Sequence, residues 1–163
     1  MAQNDAPPDG KHGLARLLNR WDGLVSLLDR LQPLAALLAR LYVAHVFFFA
    51  GLTKLHDWSV TLALFMDEYK VPWLSPGVAA VMATAGELVL PLLLALGLGG
   101  RFAALGLSVM NVVAVLSLAE VAPAALQQHV FWGALLAALA IYGPGPWSVD
   151  RWVYPRVQRR LRS

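Results

Sequence analysis

Apolar positions fall into four long runs, and polar residues gather in the short segments between them. The first run covers residues 34–52, the second 78–98 and the third 102–122. The fourth, "LQQHVFWGALLAALAIYG", is shorter and begins polar. At about 1.5 Å per residue, helices of these lengths approach the roughly 30 Å hydrocarbon core of a bilayer. The alternative is a set of buried helices in a soluble core, but four of them joined by very short loops leave too little polar surface for that. The pattern predicts an all-α membrane protein built on a bundle of four transmembrane helices.

Three flanking segments carry weaker patterns. Residues 1–12, "MAQNDAPPDGKH", are polar and Pro-rich and predict a disordered tail; no compact apolar core with a cleavage site follows, so they do not read as a signal peptide. Over residues 13–32, Leu14, Leu17, Leu18, Trp21, Leu24, Val25, Leu28 and Leu31 recur at helical spacing, with Arg16, Asn19, Arg20, Asp22, Asp29 and Arg30 on the other side. This predicts an amphipathic helix on the cytoplasmic membrane surface, or one that docks a partner, with Pro33 separating it from the first span. Between runs one and two, "HDWSVTLALFMDEYKVPWLSP" predicts a short interfacial helix capped by Asp57 or Ser59. After run four, Gly143 and Pro144 read as structural stops, and Trp147, Trp152 and Tyr154 fit an interfacial aromatic belt. The organisation expected is a tail over 1–12, an interfacial helix over 13–32, a four-helix membrane domain over 33–150 and a basic cytoplasmic tail over 151–163.

Composition supports the bilayer, since 58% of the 163 residues are hydrophobic and only 14% charged. The basic residues are not laid out as a stripe with interleaved aromatics, so nucleic acid is not the expected partner. Eleven of the thirteen Lys and Arg lie on the side of the two termini and the Arg101 turn, against Lys54 and Lys70 on the other. The asymmetry predicts cytoplasmic termini. Cysteine is absent, which excludes disulfides and thiolate metal sites within the chain.

Counting along the runs puts His45, Glu87 and Asn111 near mid-membrane on three different helices. Ionisable residues there are costly and usually face the bundle interior in pairs. Glu87 is tolerable if His45 or Asn111 reaches it, or if it is protonated. Pro91 lacks the N–H that would bond the Glu87 carbonyl, so one turn offers both a carboxyl and a free backbone oxygen. The three residues form either a working polar site or a hydrogen-bond network that fixes helix register. Lys54 and His56 at the outer end of the first run, with His129 at the outer start of the fourth, read as a basic mouth for an anion or a quinone head group; Lys54 alone reads as snorkelling to the interface. Arg101 joins these as a substrate-binding candidate. No paired histidine spacing supports a metal or haem site.

The stretches "RLYVAHVFFFAGLTKL", "LALFMDEYKVP", "GELVLPLLLALGLGGRFAAL" and "GPGPWSVD" resemble, in order, the DoxX family of small bacterial membrane proteins. The likeness includes a G-x-x-K at Gly51 and Lys54, an E-x-x-x-P at Glu87 and Pro91, and the Arg101 turn, over residues 37–150. It implies a four-helix bundle in the bacterial inner membrane. It also implies membership among proteins that include a subunit of a thiosulfate–quinone oxidoreductase and others linked to oxidative or thiol stress. Two functions follow as expectations: a membrane subunit docking a redox protein partner around a quinone or proton site at Glu87, or a small-solute carrier that works as an oligomer. A plain membrane anchor is the third.

Overall fold

The computed structural model describes residues 10–162, and no strand occurs among them. Six helices follow in order: α1 (Gly10–His56), α2 (Trp58–Asp67), α3 (Pro76–Leu96), α4 (Gly100–Leu116), α5 (Pro123–Tyr142) and α6 (Asp150–Leu161). The second half of α1 packs against α3 on one flank and α5 on the other, α3 packs on α4, and α4 on α5. A ring of four helices results. Its centre is filled by Val43, Phe47, Leu94, Ala103, Leu107 and Leu136. Ala103 and Ala104 are fully buried, and small residues of this kind let helices approach closely where no hydrophobic force drives them together. The short α2 lays Phe65 onto Ala79 and Ala80 of α3.

Helix ends follow local chemistry. Pro76 and Pro123 begin α3 and α5, where the missing N–H costs nothing. Asp57, of the two expected caps, accepts the Val60 N–H to open α2. The α3 helix stops at Gly97 (φ 66°), whose left-handed backbone lets Leu98 N–H bond the Leu93 carbonyl. Asp150, the first residue of α6, accepts the N–H groups of Gly99 and Gly100 at 2.8 and 2.9 Å, holding the start of α4.

Outward-facing residues on the ring are themselves apolar, among them Leu92, Phe102, Val109 and Ile141. In water this would be one contiguous apolar surface; in a bilayer it is the solvated face. Three helices, α1, α3 and α5, are long and apolar enough to cross a membrane, while α4 is apolar with 17 residues.

Three expectations need correction, and the basic tail gains a structure. Pro33 does not end a helix: α1 runs through it for 47 residues, about 70 Å. A proline removes one backbone bond, here to the Asp29 carbonyl, and the turns on either side carry the helix on. The third apolar run ends at Leu116 rather than at 122, because the Ser117 carbonyl accepts the Lys70 N–H of the α2–α3 loop at 2.8 Å. The basic tail over 151–163 is helical in α6. Of the tail over 1–12, residues 1–9 lie outside the described residues, and Gly10 already belongs to α1.

Candidate functional site

Lys54 reaches Glu87 across the α1–α3 contact. Its ammonium donates to both carboxylate oxygens, at 2.9 and 2.7 Å, and the two side chains are 22% and 13% exposed. Gly51 makes this possible: a Cβ there would stand 3.0 Å from Glu87 Cβ and from Leu88 Cδ2, so α3 rests directly on the glycine backbone. Side chains tilt toward the N-terminus of their own helix. Lys54, one turn beyond Gly51, therefore folds back to the level of Glu87. Thr61 of α2 donates to the Lys54 carbonyl at 3.0 Å and ties the short helix to the same place. The G-x-x-K and E-x-x-x-P motifs thus meet face to face.

The expected partners of Glu87 lie elsewhere. His45 is exposed, its ring 4.4 Å from that of Phe49 on the outside of α1. Nine residues separate it from Lys54, which at 3.6 residues per turn puts the two roughly half a turn apart. His45 therefore cannot share the inner face with Lys54. Asn111 pairs with His129, an expected mouth residue, rather than with Glu87. Its amide donates to the His129 carbonyl at 2.9 Å, and His129 Nδ1 lies 2.8 Å from its Oδ1. The α4–α5 hairpin explains this, since Asn111 and His129 stand about equally far from the turn that joins the helices. Asn111 and Glu87 lie at similar depth, as the Gly86–Met110 contact shows, but they face different neighbours.

The basic mouth does not assemble. His56 is exposed at the end of α1, Lys54 is committed to Glu87, and His129 to Asn111. Arg101 donates to the Ile141 carbonyl at 3.3 Å and lies against Gly143, so it closes the last turn of α5. Pro144 packs on Gly100 at the same end. Pro91 is fully buried within α3. No group of three or more His, Asp or Glu suited to a metal occurs among the described residues.

Two residues escaped the sequence reading. Tyr69, in the loop after α2, stacks near Phe65 with ring centroids 4.9 Å apart. Burial first, then the charges of Glu87 and Glu68, push its phenol above the usual value. It lines a cavity of about 290 Å³ with Phe65, Met66, Pro76 and Ala79. Arg40 is fully buried at the opposite end of the bundle and donates to the Trp147 carbonyl at 2.5 Å, while its Nε and Nη1 have no hydrogen-bond partner among the described residues. It read only as an orienting charge. A position on the inner face of α1, in line with Val43, Phe47, Gly51 and Lys54 about one, two, three and four turns further on, was the signal that could have found it.

Apolar helices of spanning length closed into a ring, with a charged pair between two of them, define a multi-pass integral membrane protein. The family model that matches the chain, over residues 35–120 or just over half its length, is DoxX. The chain belongs to the DoxX family. Neither curated proteins nor solved structures yield a match.

Proposed function

We propose that this protein is a four-span subunit of a redox complex in the bacterial inner membrane, with cytoplasmic termini. In this reading the Lys54–Glu87 pair serves a quinone or proton site toward the outer leaflet. The observation that carries the reading is the pair itself, a carboxylate and an ammonium 2.7 Å apart between two helices of spanning length. Ionisable groups inside a membrane face the bundle interior or a wet cavity, pair with one another, and mark proton or substrate paths. Reducing a quinone by two electrons takes up two protons. The partner protein supplies both electrons; as the Lys54 ammonium turns to hydrogen-bond a quinone oxygen, Glu87 takes protons one at a time from water at the outer surface and passes two in succession to the quinone. The aromatic walls of Phe65 and Tyr69 in the neighbouring cavity suit a ring. Because the chain has no cysteine, any thiol relay belongs to the partner. The place of α4 between α3 and α5, both of spanning length, supports a fourth crossing.

The test is quinone reduction by the complex purified from native membranes. Glu87→Gln keeps an amide oxygen that accepts from Lys54 but cannot release a proton. The variant is expected to stay folded and lose roughly 100-fold in rate, the scale of a single acid–base group. Full activity of Glu87→Gln sinks the reading. Solute flux through the protein alone in liposomes, without quinone reduction, would establish a carrier instead.

A further inference from the structure

We infer that α1 is a self-association helix, pairing in parallel with α1 of a second copy of this chain along a seam that runs from its cytoplasmic half into the bilayer. The inference rests on α1 crossing the membrane as part of the multi-pass fold, and not on the redox reading of Lys54 and Glu87.

Every side chain over residues 13–32 is exposed, apolar ones included, so this stretch extends about 30 Å beyond the bundle with no other described residue covering it. Its apolar residues follow a heptad. Leu14, Trp21 and Leu28 occupy a positions, Leu17, Leu24 and Leu31 occupy d positions, and Asn19, Ser26 and Pro33 fall at f, farthest from the seam. Leu18, Val25 and Leu27 widen the stripe at e and g.

Past residue 33 the same register continues on exposed positions, Leu38, His45, Phe49 and Leu52, with Tyr42 at the margin, where its hydroxyl accepts from Trp132 and its ring meets Phe131 of α5. The opposite face, with Arg40, Val43, Phe47 and Gly51, is the one buried in the chain's own ring. One seam therefore runs along the outside of α1 from water into the membrane. A left-handed supercoil keeps such a 3.5-residue repeat aligned, against the drift of about 20° per heptad in a straight helix.

His45 supplies the second, independent observation. A polar side chain on the outward face of a spanning helix would meet lipid, whereas such residues ordinarily face protein. Facing His45 of the partner subunit, it has a polar neighbour in the seam.

A lipid surface fits less well. Residues 13–32 carry three Arg against two Asp, a weak basic excess for a helix held on anionic lipid. The unbroken passage through Pro33 also sends the cytoplasmic half along the spanning direction rather than across it. Membrane insertion orients both copies the same way, so parallel, in-register pairing requires no search, and confinement raises the effective concentration.

The chain has no cysteine, so single-cysteine variants report without background. In native membranes carrying the full chain, Leu24→Cys, Leu38→Cys and His45→Cys are expected to form inter-chain disulfides on copper–phenanthroline oxidation. Ser26→Cys is expected not to. Paired d positions bring Cα atoms within the roughly 7 Å a disulfide tolerates, while f positions stand about two helix diameters apart, roughly 20 Å. Adding Leu17→Glu and Leu24→Glu to Leu38→Cys is expected to cut its crosslinking at least about fivefold, with the melting temperature of the bundle unchanged, because neither residue touches the ring. Equal crosslinking at d and f positions, or none at d, overturns the inference. Quenching of Trp21 by brominated lipid, without d-position crosslinks, overturns it in favour of the bilayer surface.

Discussion

Replacing Lys54 by methionine would leave the Glu87 carboxylate wedged between α1 and α3 with its paired cation gone. Removing one partner of a buried ion pair costs about 3–5 kcal/mol, because the remaining charge keeps its desolvation penalty and loses its compensation. Here the two side chains retain 22% and 13% of their exposure, which lowers the expectation to about 2–3 kcal/mol. At about 2–4 °C per kcal/mol for a chain of this size, the melting temperature in detergent should fall by about 4–12 °C. The double variant Lys54→Met/Glu87→Leu removes both charges and fills the gap with apolar atoms. Such replacements are neutral or stabilise by about 1–4 kcal/mol, so the double variant should melt at or above the parent. Thermal unfolding of all four members of the cycle, followed by tryptophan fluorescence, gives the coupling energy directly. A coupling near the 0.6 kcal/mol typical of a polar contact between membrane helices would refute the claim that the pair behaves as a sheltered ion pair. A double variant as unstable as the sum of the singles would refute it as well.

Two further outcomes test the surroundings of the pair. Gly51→Val should push α1 from α3 and destabilise by about 1–3 kcal/mol, as overpacking does, because even a Cβ at this position meets Glu87 and Leu88 at 3.0 Å; an unchanged melting temperature would show that the contact is loose. At Asp57, the Val60 N–H first and the Ser59 hydroxyl second hold the carboxylate below its ordinary range. Its value in the folded chain is depressed, so the cap is fully stabilising above the unfolded carboxylate range and fades as pH falls through the folded value. Protection of the Val60 amide against hydrogen exchange should therefore weaken below about pH 4, and in Asp57→Asn it should show no such step; the same step in both would assign it to another group.

The order of helices was open to one-dimensional reading, because it depends on runs of apolar residues and on end chemistry acting over a few positions. Pro76, Pro123, Gly97 and Asp57 act on their own turns, and the pattern around them suffices. The motifs at Gly51, Lys54, Glu87 and Pro91 were also legible as marks of a site. Their pairing was not, since depth along a helix is a count whereas direction around it depends on which face meets a neighbour. His45 sits within two turns of Gly51 in depth and yet points away from Glu87, because the bare backbone of Gly51 decides where α3 lies on α1. The hairpin between α4 and α5 likewise gave Asn111 to His129. Long-range contacts settled the remaining differences: the Lys70–Ser117 bond ended α4, and the bundle closed over Arg40. Entry into the apolar layer was set by the side chains each segment carries, because transfer from water depends on composition. Which polar groups meet there was set by packing, because a hydrogen bond or ion pair needs two helices at one distance and one rotation.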